Sequence, residues 1–378
     1  MVKPRTALQG IEICEHGGKR EKDGAGEVID FSTNLNPYGP PDFVYSAIKE
    51  ALLGIKLYPD TESRELKEQI AKKFGCKGEE VLVGAGVSEL IQLVALAFVR
   101  DRVLMPKHTY GEYEVAAKMM GGTINRIEMP GLHVHPERIV EEMKPDDVVF
   151  LCNPNNPTGQ YLGKNELWQI IEEAERVDAL IVLDEAYIDF VETAFPSHTF
   201  STRNLVILRS LTKSYAIPGI RLGYVISSAE NIMAMRKVKV PWSVTAFAQR
   251  TGSAVISGAE GSGEFLADTR KKIKRSKVKI ENRLRERDMH VESDANFYVL
   301  DVGPEKAREV KRELLKQGIL VRDCTSFGLP SHIRFSVRQE EENERLMDAL
   351  NRLNKQWKIL NPKHQNLNKF KYLNSKLL

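Results

Sequence analysis

The chain has 378 residues, enough for one large domain and a smaller one around a sizeable core. Its hydrophobic share of 42% and charged share of 28% are ordinary for a soluble globular protein. Net charge is +3, from 55 basic and 52 acidic residues, and five lysines without an acid lie between Lys358 and Leu378; the remaining chain is slightly acidic, which argues against nucleic acid as the main partner.

The four cysteines, Cys14, Cys76, Cys152 and Cys324, form no CxxC pair, so neither a zinc site nor a disulfide framework is expected, and a reducing cytoplasm suits them. The start, MVKPRTALQG, lacks the apolar core of a signal peptide, and the run LIQLVALAFV (Leu90–Val99) is too short to span a bilayer. No metal and no membrane contact are expected.

In chain order, an N-terminal segment (1–44) carries HGGKR from His16 and DFSTNLNPYGPP from Asp30; it is expected to join a small C-terminal domain. A large domain (45–270) follows, with LYPD around Tyr58, the glycine turn GAGVSEL (Gly84–Leu90) opening a helix, and PKHTYGEY around Tyr110. VVFLC (Val148–Cys152), ALIVL (Ala179–Leu183) and LVILR (Leu205–Arg209) read as buried parallel strands. Helical patterns such as NELWQIIEEAERV from Asn165 separate them, which predicts an α/β fold with helices covering a parallel sheet.

A long helical pattern, roughly 263–288, places Leu266, Ile273, Ile280 and Leu284 on one face; its ten basic and two acidic residues between Arg270 and Arg287 read as a solvated face. FYVLDV, an amphipathic stretch after Glu305, GILVRDC and HIRFSVR predict a small α+β domain (271–360). The Asn- and Lys-rich remainder (361–378) reads as a disordered basic tail.

The three strands are followed by NPNNPTG, DEAYIDF and SLTKS. Ligands in such sheets bind beyond the carboxyl ends of the strands, where Asn156, Asp184, Tyr187, Ser210 and Lys213 therefore converge, with Arg221 eight residues beyond the lysine. One cofactor uses this whole set. Pyridoxal phosphate needs a lysine for its Schiff base, a carboxylate at its ring nitrogen, donors at its phenolic oxygen and a phosphate cradle. Lys213 would carry the cofactor and move protons, Asp184 would pair with the ring nitrogen, and Asn156 and Tyr187 would hold the phenolic oxygen. Ser210, Arg221 and backbone amides of the Gly84–Leu90 turn would bind the phosphate.

NNPTG (Asn155–Gly159), DEAY (Asp184–Tyr187) and SLTKSYAIPGIRLGY (Ser210–Tyr224) resemble the fold-type I aminotransferase superfamily, over about residues 16–350. The resemblance implies a large domain with a mostly parallel seven-stranded sheet, a small α+β domain and a homodimer. It implies that Tyr110 stacks on the cofactor and shares the catalytic work with Lys213 and Asp184, and that Gly86, Val87, Ser88 and Thr212 join the phosphate cradle. It also implies that Tyr58 reaches the neighbouring subunit's cofactor and that Arg334 takes the substrate carboxylate. Ala85 and Val87 replace polar residues frequent in the family's glycine turn, so only backbone contacts are expected there.

Within the superfamily the chain is similar to two families acting on phosphorylated substrates, the threonine-phosphate decarboxylases of cobamide synthesis and the histidinol-phosphate aminotransferases. Each needs a second anion site, for which His16, Gly17, Asn34 and Arg322 are the candidates, with Asn156 also at the substrate. HGG before DFSTNLNP, LRSLTKSYAIPGIRLGY, and the Pro-Trp-Ser-Val of VPWSVTAFA (Val240–Ala248) favour the decarboxylases. A non-catalytic cofactor-binding regulator is a further alternative, but no stretch reads as a DNA-binding module.

Overall fold

Apolar runs alternating with amphipathic segments fold as strands alternating with helices. The structure, a computed structural model, describes residues 2–18, 28–258, 262–287 and 289–357; the tail expected at 361–378 lies outside the described residues. The chain enters through β1 (Ile29–Asp30), α1 (Asp42–Leu52) and α2 (Arg64–Phe74). It then runs through β2 (Val81–Gly84), α3 (Val87–Phe98), β3 (Arg102–Pro106), α4 (Glu112–Met119), β4 (Thr123–Ile127) and α5 (Pro136–Glu142). Next come β5 (Val148–Cys152), α6 (Lys164–Val177), β6 (Leu180–Asp184), β7 (Leu205–Ser210) and β8 (Gly223–Ser227). After α7 (Ala229–Val238), α8 (Ala246–Ile256) and α9 (Ser262–Arg285) follow β9 (Phe297–Asp301), α10 (Ala307–Leu315), β10 (Ile319–Leu320), β11 (Arg322–Asp323), β12 (His332–Ser336) and α11 (Glu340–Trp357).

The expected mostly parallel seven-stranded sheet is present, in the order β2-β8-β7-β6-β5-β3-β4, with β8 antiparallel to both its neighbours. Its central strands are apolar on both faces because helices cover both. Phe150, Val182, Val206 and Leu208 join one core with side chains of α3, α4 and α7. Val149, Leu151, Ile181 and Ile207 point the other way, into a core with α5 and α6. Each is almost fully buried, worth roughly 1.5–3 kcal/mol per large side chain.

Register explains where the functional segments meet. Cys152, Asp184 and Leu208 are lateral neighbours at the ends of β5, β6 and β7, so the turns after these strands lie side by side. Gly223, at the start of the antiparallel β8, pairs with both Ser210 and Gly84. That single reversed strand brings the residues before it, including Arg221, to the glycine turn after β2.

The C-terminal part carries a three-stranded antiparallel sheet, β11-β12-β9, while β1 pairs in parallel with β10. Helix α9 passes the expected boundary at 270/271 without a break. Its Phe265 and Leu266 pack with one core and Ile273, Ile280 and Leu284 with another. We propose to keep the division there, where the packing partner changes. Among its basic residues, Lys274, Lys279 and Arg283 pair with Glu192, Glu340 and Asp348.

Candidate active site

The glycine turn is built to leave donors free. Gly86, at φ +87°, caps α3, and a Cβ on it would lie 2.6 Å from Arg221 Nη2. Only glycine therefore lets the guanidinium sit against the helix start, where the amides of Val87 and Ser88 have no intrahelical acceptor. Gly223 is equally constrained, since its Cβ would approach the Val87 nitrogen to 3.1 Å. Arg221 donates to the Pro218 carbonyl through Nη1 at 3.1 Å. Ser210 Oγ and Thr212 Oγ1 share a hydrogen bond of 2.8 Å nearby in sequence. Amides at a helix start, two hydroxyls and a guanidinium form a set suited to a phosphate dianion.

Lys213 sits in the turn after β7, and that turn is anchored from the N-terminal segment. The Asn36 amide donates to the Lys213 carbonyl at 2.9 Å, and Asn36 Nδ2 donates to the Ser214 carbonyl at 2.8 Å. Burial, with Arg334 and Arg221 near, lowers the ammonium's pKa to about 8, against the pull of Asp184. Asp184 is held up at about 6 by burial, opposed by hydrogen bonds from Tyr113 and the Ala186 amide and by Lys213. The Tyr113 hydroxyl donates to Asp184 Oδ2 at 2.7 Å, and the Ala186 amide donates to Oδ1 at 3.0 Å. The Tyr113 ring stacks on Phe150 at 5.0 Å and meets Tyr110 edge-on at 5.5 Å. Burial also raises the Tyr187 phenol to about 12.

Beyond Lys213 a cleft opens, and Asn34, Tyr110, Asn156, Tyr187, Arg322 and Arg334 are among its lining residues. Arg322 and Arg334 are directly opposite each other on β11 and β12, and both are 5% exposed. Like charges in that register repel; the Glu15 carboxylate, 3.6 Å from Arg322, offsets part of this, and an anion in the cleft would offset the rest. Arg334 donates to the Ser32 carbonyl at 2.7 Å and to Asn156 Oδ1, while its Nε has no partner. Arg322 donates through Nη2 to the Glu15 carbonyl at 2.6 Å and to Ser326 Oγ at 2.7 Å. Phe327 lies against both guanidiniums, 5.7 Å from that of Arg322 and 6.0 Å from that of Arg334. Asn34 is buried beside the Tyr187 hydroxyl, yet neither polar atom of its carboxamide completes a hydrogen bond. Such unpaired amides are costly unless a ligand satisfies them.

Of the residues singled out from the sequence, His16, Gly17, Asn34, Tyr110, Asn156, Tyr187, Lys213, Arg322 and Arg334 share this one cleft. Asp184 lies buried beside Lys213, and Gly86, Val87 and Ser88 gather with Arg221. His16 is half exposed and contacts Glu112 at 3.0 Å. Tyr58 is elsewhere: it is 82% exposed and its ring lies against that of Trp242, tilted by 35°, at 4.9 Å. Tyr113, Ser32 and Asn36 were not anticipated. Nor was His108, whose Nδ1 lies 2.7 Å from the Phe327 carbonyl and so ties the strand-end loop to the loop over the arginines. Tyr113 alone had a cue, its place three residues beyond Tyr110 across a helix start.

The residues present fit pyridoxal phosphate on three counts: the cradle a Cβ at Gly86 would fill, the unpaired Asn34 carboxamide, and a buried carboxylate beside a buried lysine. Comparison with known proteins agrees. Residues 26–350 match the family described as aminotransferase class I and II. A protein of Caldanaerobacter subterraneus subsp. tengcongensis, provisionally named threonine-phosphate decarboxylase, is 36% identical over 89% of this chain and 93% of its own. Histidinol-phosphate aminotransferase 2 of Archaeoglobus fulgidus is 34% identical over 86% of this chain and 92% of its own. Further relatives at 31–33% identity also carry the histidinol-phosphate aminotransferase name. Among solved structures, L-threonine-O-3-phosphate decarboxylase from Porphyromonas gingivalis superposes with a TM-score of 0.75 at 26% identity, covering 86% of this chain and 99% of that one.

Proposed function

The chain belongs to the class I and II aminotransferase family of pyridoxal-phosphate enzymes, and on that premise we propose that it decarboxylates L-threonine O-3-phosphate to 1-aminopropan-2-yl phosphate and CO2. The observation that carries this reading is the cross-strand pair Arg322 and Arg334, two buried guanidiniums facing one cleft. A substrate with a carboxylate at one end and a phosphate at the other neutralises both at once. Histidinol phosphate carries a phosphate but no carboxylate, so it would use the arginine pair on one anion alone, whereas phosphothreonine would give each arginine an anion of its own. The decarboxylase-named relative and solved structure support the same choice. The histidinol-phosphate aminotransferase reading rests on the relatives of that name.

When bound, pyridoxal phosphate supplies a ring that accepts the electron pair of a bond broken at the substrate's Cα. The protein's residues do the rest. Asp184, ionised near neutral pH, would keep a proton on the ring nitrogen, and Tyr113 and the Ala186 amide hold that carboxylate in place. Tyr187 and Asn156 would donate to the cofactor's phenolic oxygen, and Tyr110, which lines the same cleft, would pack against the cofactor. Gly86, Val87, Ser88, Ser210, Thr212 and Arg221 would hold the cofactor phosphate.

Lys213, whose ammonium is weakened by burial to a pKa of about 8, is a ready proton donor: in its ammonium form it would give a proton to Cα after the carboxylate leaves and be left as the neutral amine. Arg334 grips the carboxylate, while Arg322, His16, Gly17 and Asn34 grip the substrate phosphate. Holding both ends would fix the orientation of the substrate's Cα and so favour loss of the carboxylate over loss of the proton. Tyr58 lies beside exposed Leu53, Ile55 and Leu57, an apolar surface that a second copy would cover in a homodimer.

The test is a direct comparison on purified holoenzyme: CO2 and aminopropanol phosphate from O-phospho-L-threonine, against transamination of histidinol phosphate with 2-oxoglutarate. Faster transamination by a wide margin would overturn the decarboxylase reading and leave the cofactor site standing.

A further inference from the structure

Three metal-binding side chains stand together at the cleft mouth, and the proposed reaction uses only one of them. The ligand atoms of Cys14, His16 and Glu112 all lie within 4.8 Å of one another, with His16 Nε2 3.0 Å from Glu112 Oε1. The local fold accounts for the grouping. Residues 11–16 are neither helix nor turn, and they bring Cys14 and His16 to the same point of the cleft mouth. Glu112 opens α4 directly after Gly111, where a Cβ would sit 2.8 Å from Cys14 Sγ. Glycine at 111 is what lets the thiol come down onto the helix start beside the carboxylate.

We propose that Cys14, His16 and Glu112 bind a zinc ion, with a fourth coordination position open to the cleft. A thiolate and an imidazole select a borderline-soft cation over magnesium or calcium, which prefer all-oxygen shells. Binding displaces the Cys14 thiol proton, and thiolate and carboxylate together then balance the divalent charge, so the complex itself is neutral beside Arg322. Three protein ligands and one open position are a common zinc arrangement.

The ion has a functional consequence that rests on the role proposed for His16. Arg322 is hydrogen-bonded to the Glu15 carbonyl, between the two ligands, at 2.6 Å. Zinc would pin residues 14–16 across the cleft mouth and take His16 away from the substrate phosphate. The site is therefore inhibitory, closing the enzyme when zinc is in excess.

The experiment separates binding from inhibition. Holoenzyme is equilibrated with zinc, dialysed against metal-free buffer, and assayed for metal per chain and for turnover. Wild-type protein should retain one zinc per chain and lose most of its activity, which a chelator restores. Cys14→Ser and Glu112→Gln, each checked for an unchanged cofactor absorption band, should bind zinc at least tenfold more weakly. Cys14→Ala replaces Cys14→Ser should the serine protein fail that check. Equal zinc content in wild type and variants overturns the site, whatever substrate the enzyme turns over. Zinc retained by wild type with full activity, or equal inhibition of Cys14→Ser, overturns the inhibitory role.

Discussion

Removing one hydroxyl, by Tyr113→Phe, tests how the buried carboxylate is kept in its working state. The Tyr113 ring is fully buried and stacked on Phe150, and phenylalanine preserves that packing. What is lost is the hydrogen bond to Asp184 Oδ2 at 2.7 Å, leaving the Ala186 amide as the remaining donor described to this carboxylate. A hydrogen bond to a charged group is worth roughly 1.5–3 kcal/mol, or about 10- to 150-fold in an equilibrium.

Burial already holds Asp184 up at about 6, so losing a donor pushes it higher and leaves less carboxylate at pH 7. The expected result is a kcat lower by ~10-fold or more at pH 7, weaker cofactor binding, and partial recovery as the pH is raised. The assay is a pH–rate profile of wild type and variant alongside a cofactor titration. An acid limb that does not move, with kcat within about twofold, would refute the role given to Tyr113.

Arg322→Ala should lower kcat/KM for phosphothreonine by ~10–100-fold and barely affect unphosphorylated threonine, whereas Arg334→Ala should harm both; kinetics on the two substrates checks this. Lys213→Met should stabilise the cofactor-free protein at pH 7. The lysine's folded pKa of about 8 lies below its ordinary 10.5. Wild-type stability therefore rises with pH between those values, and below them it carries a penalty of about 3 kcal/mol. Denaturation at pH 7 and again near pH 10.5 should show the variant's advantage and then its disappearance. Mixing Tyr58→Phe subunits with Lys213→Ala subunits should regain activity through hybrid dimers with one intact site. No regain, with hybrids confirmed, would count against the shared site.

The sheet and much of the cleft were legible because strand ends carry their chemistry locally. VVFLC matches β5 residue for residue, and the turn after β5, the last residue of β6 and the turn after β7 hold Asn156, Asp184 and Lys213 in short, recognisable strings. Contacts between distant segments were not legible. Tyr113 meets Asp184 across 71 residues, and His108 meets Phe327 across 219, through tertiary packing that no local spacing encodes. Asn36 could be read only as part of a loop, yet it anchors the turn that carries Lys213. The opposition of Arg322 and Arg334 depends on the register of β11 with β12, which their sequence separation leaves open.

The account rests most heavily on Lys213 as the residue that holds the cofactor. Purified holoenzyme should absorb in the visible, and reduction with borohydride followed by proteolysis and mass spectrometry should recover the cofactor covalently fixed on one peptide. The modified residue should be Lys213, within the tryptic peptide Ser210–Arg221. Recovery of the label on any other lysine would contradict it.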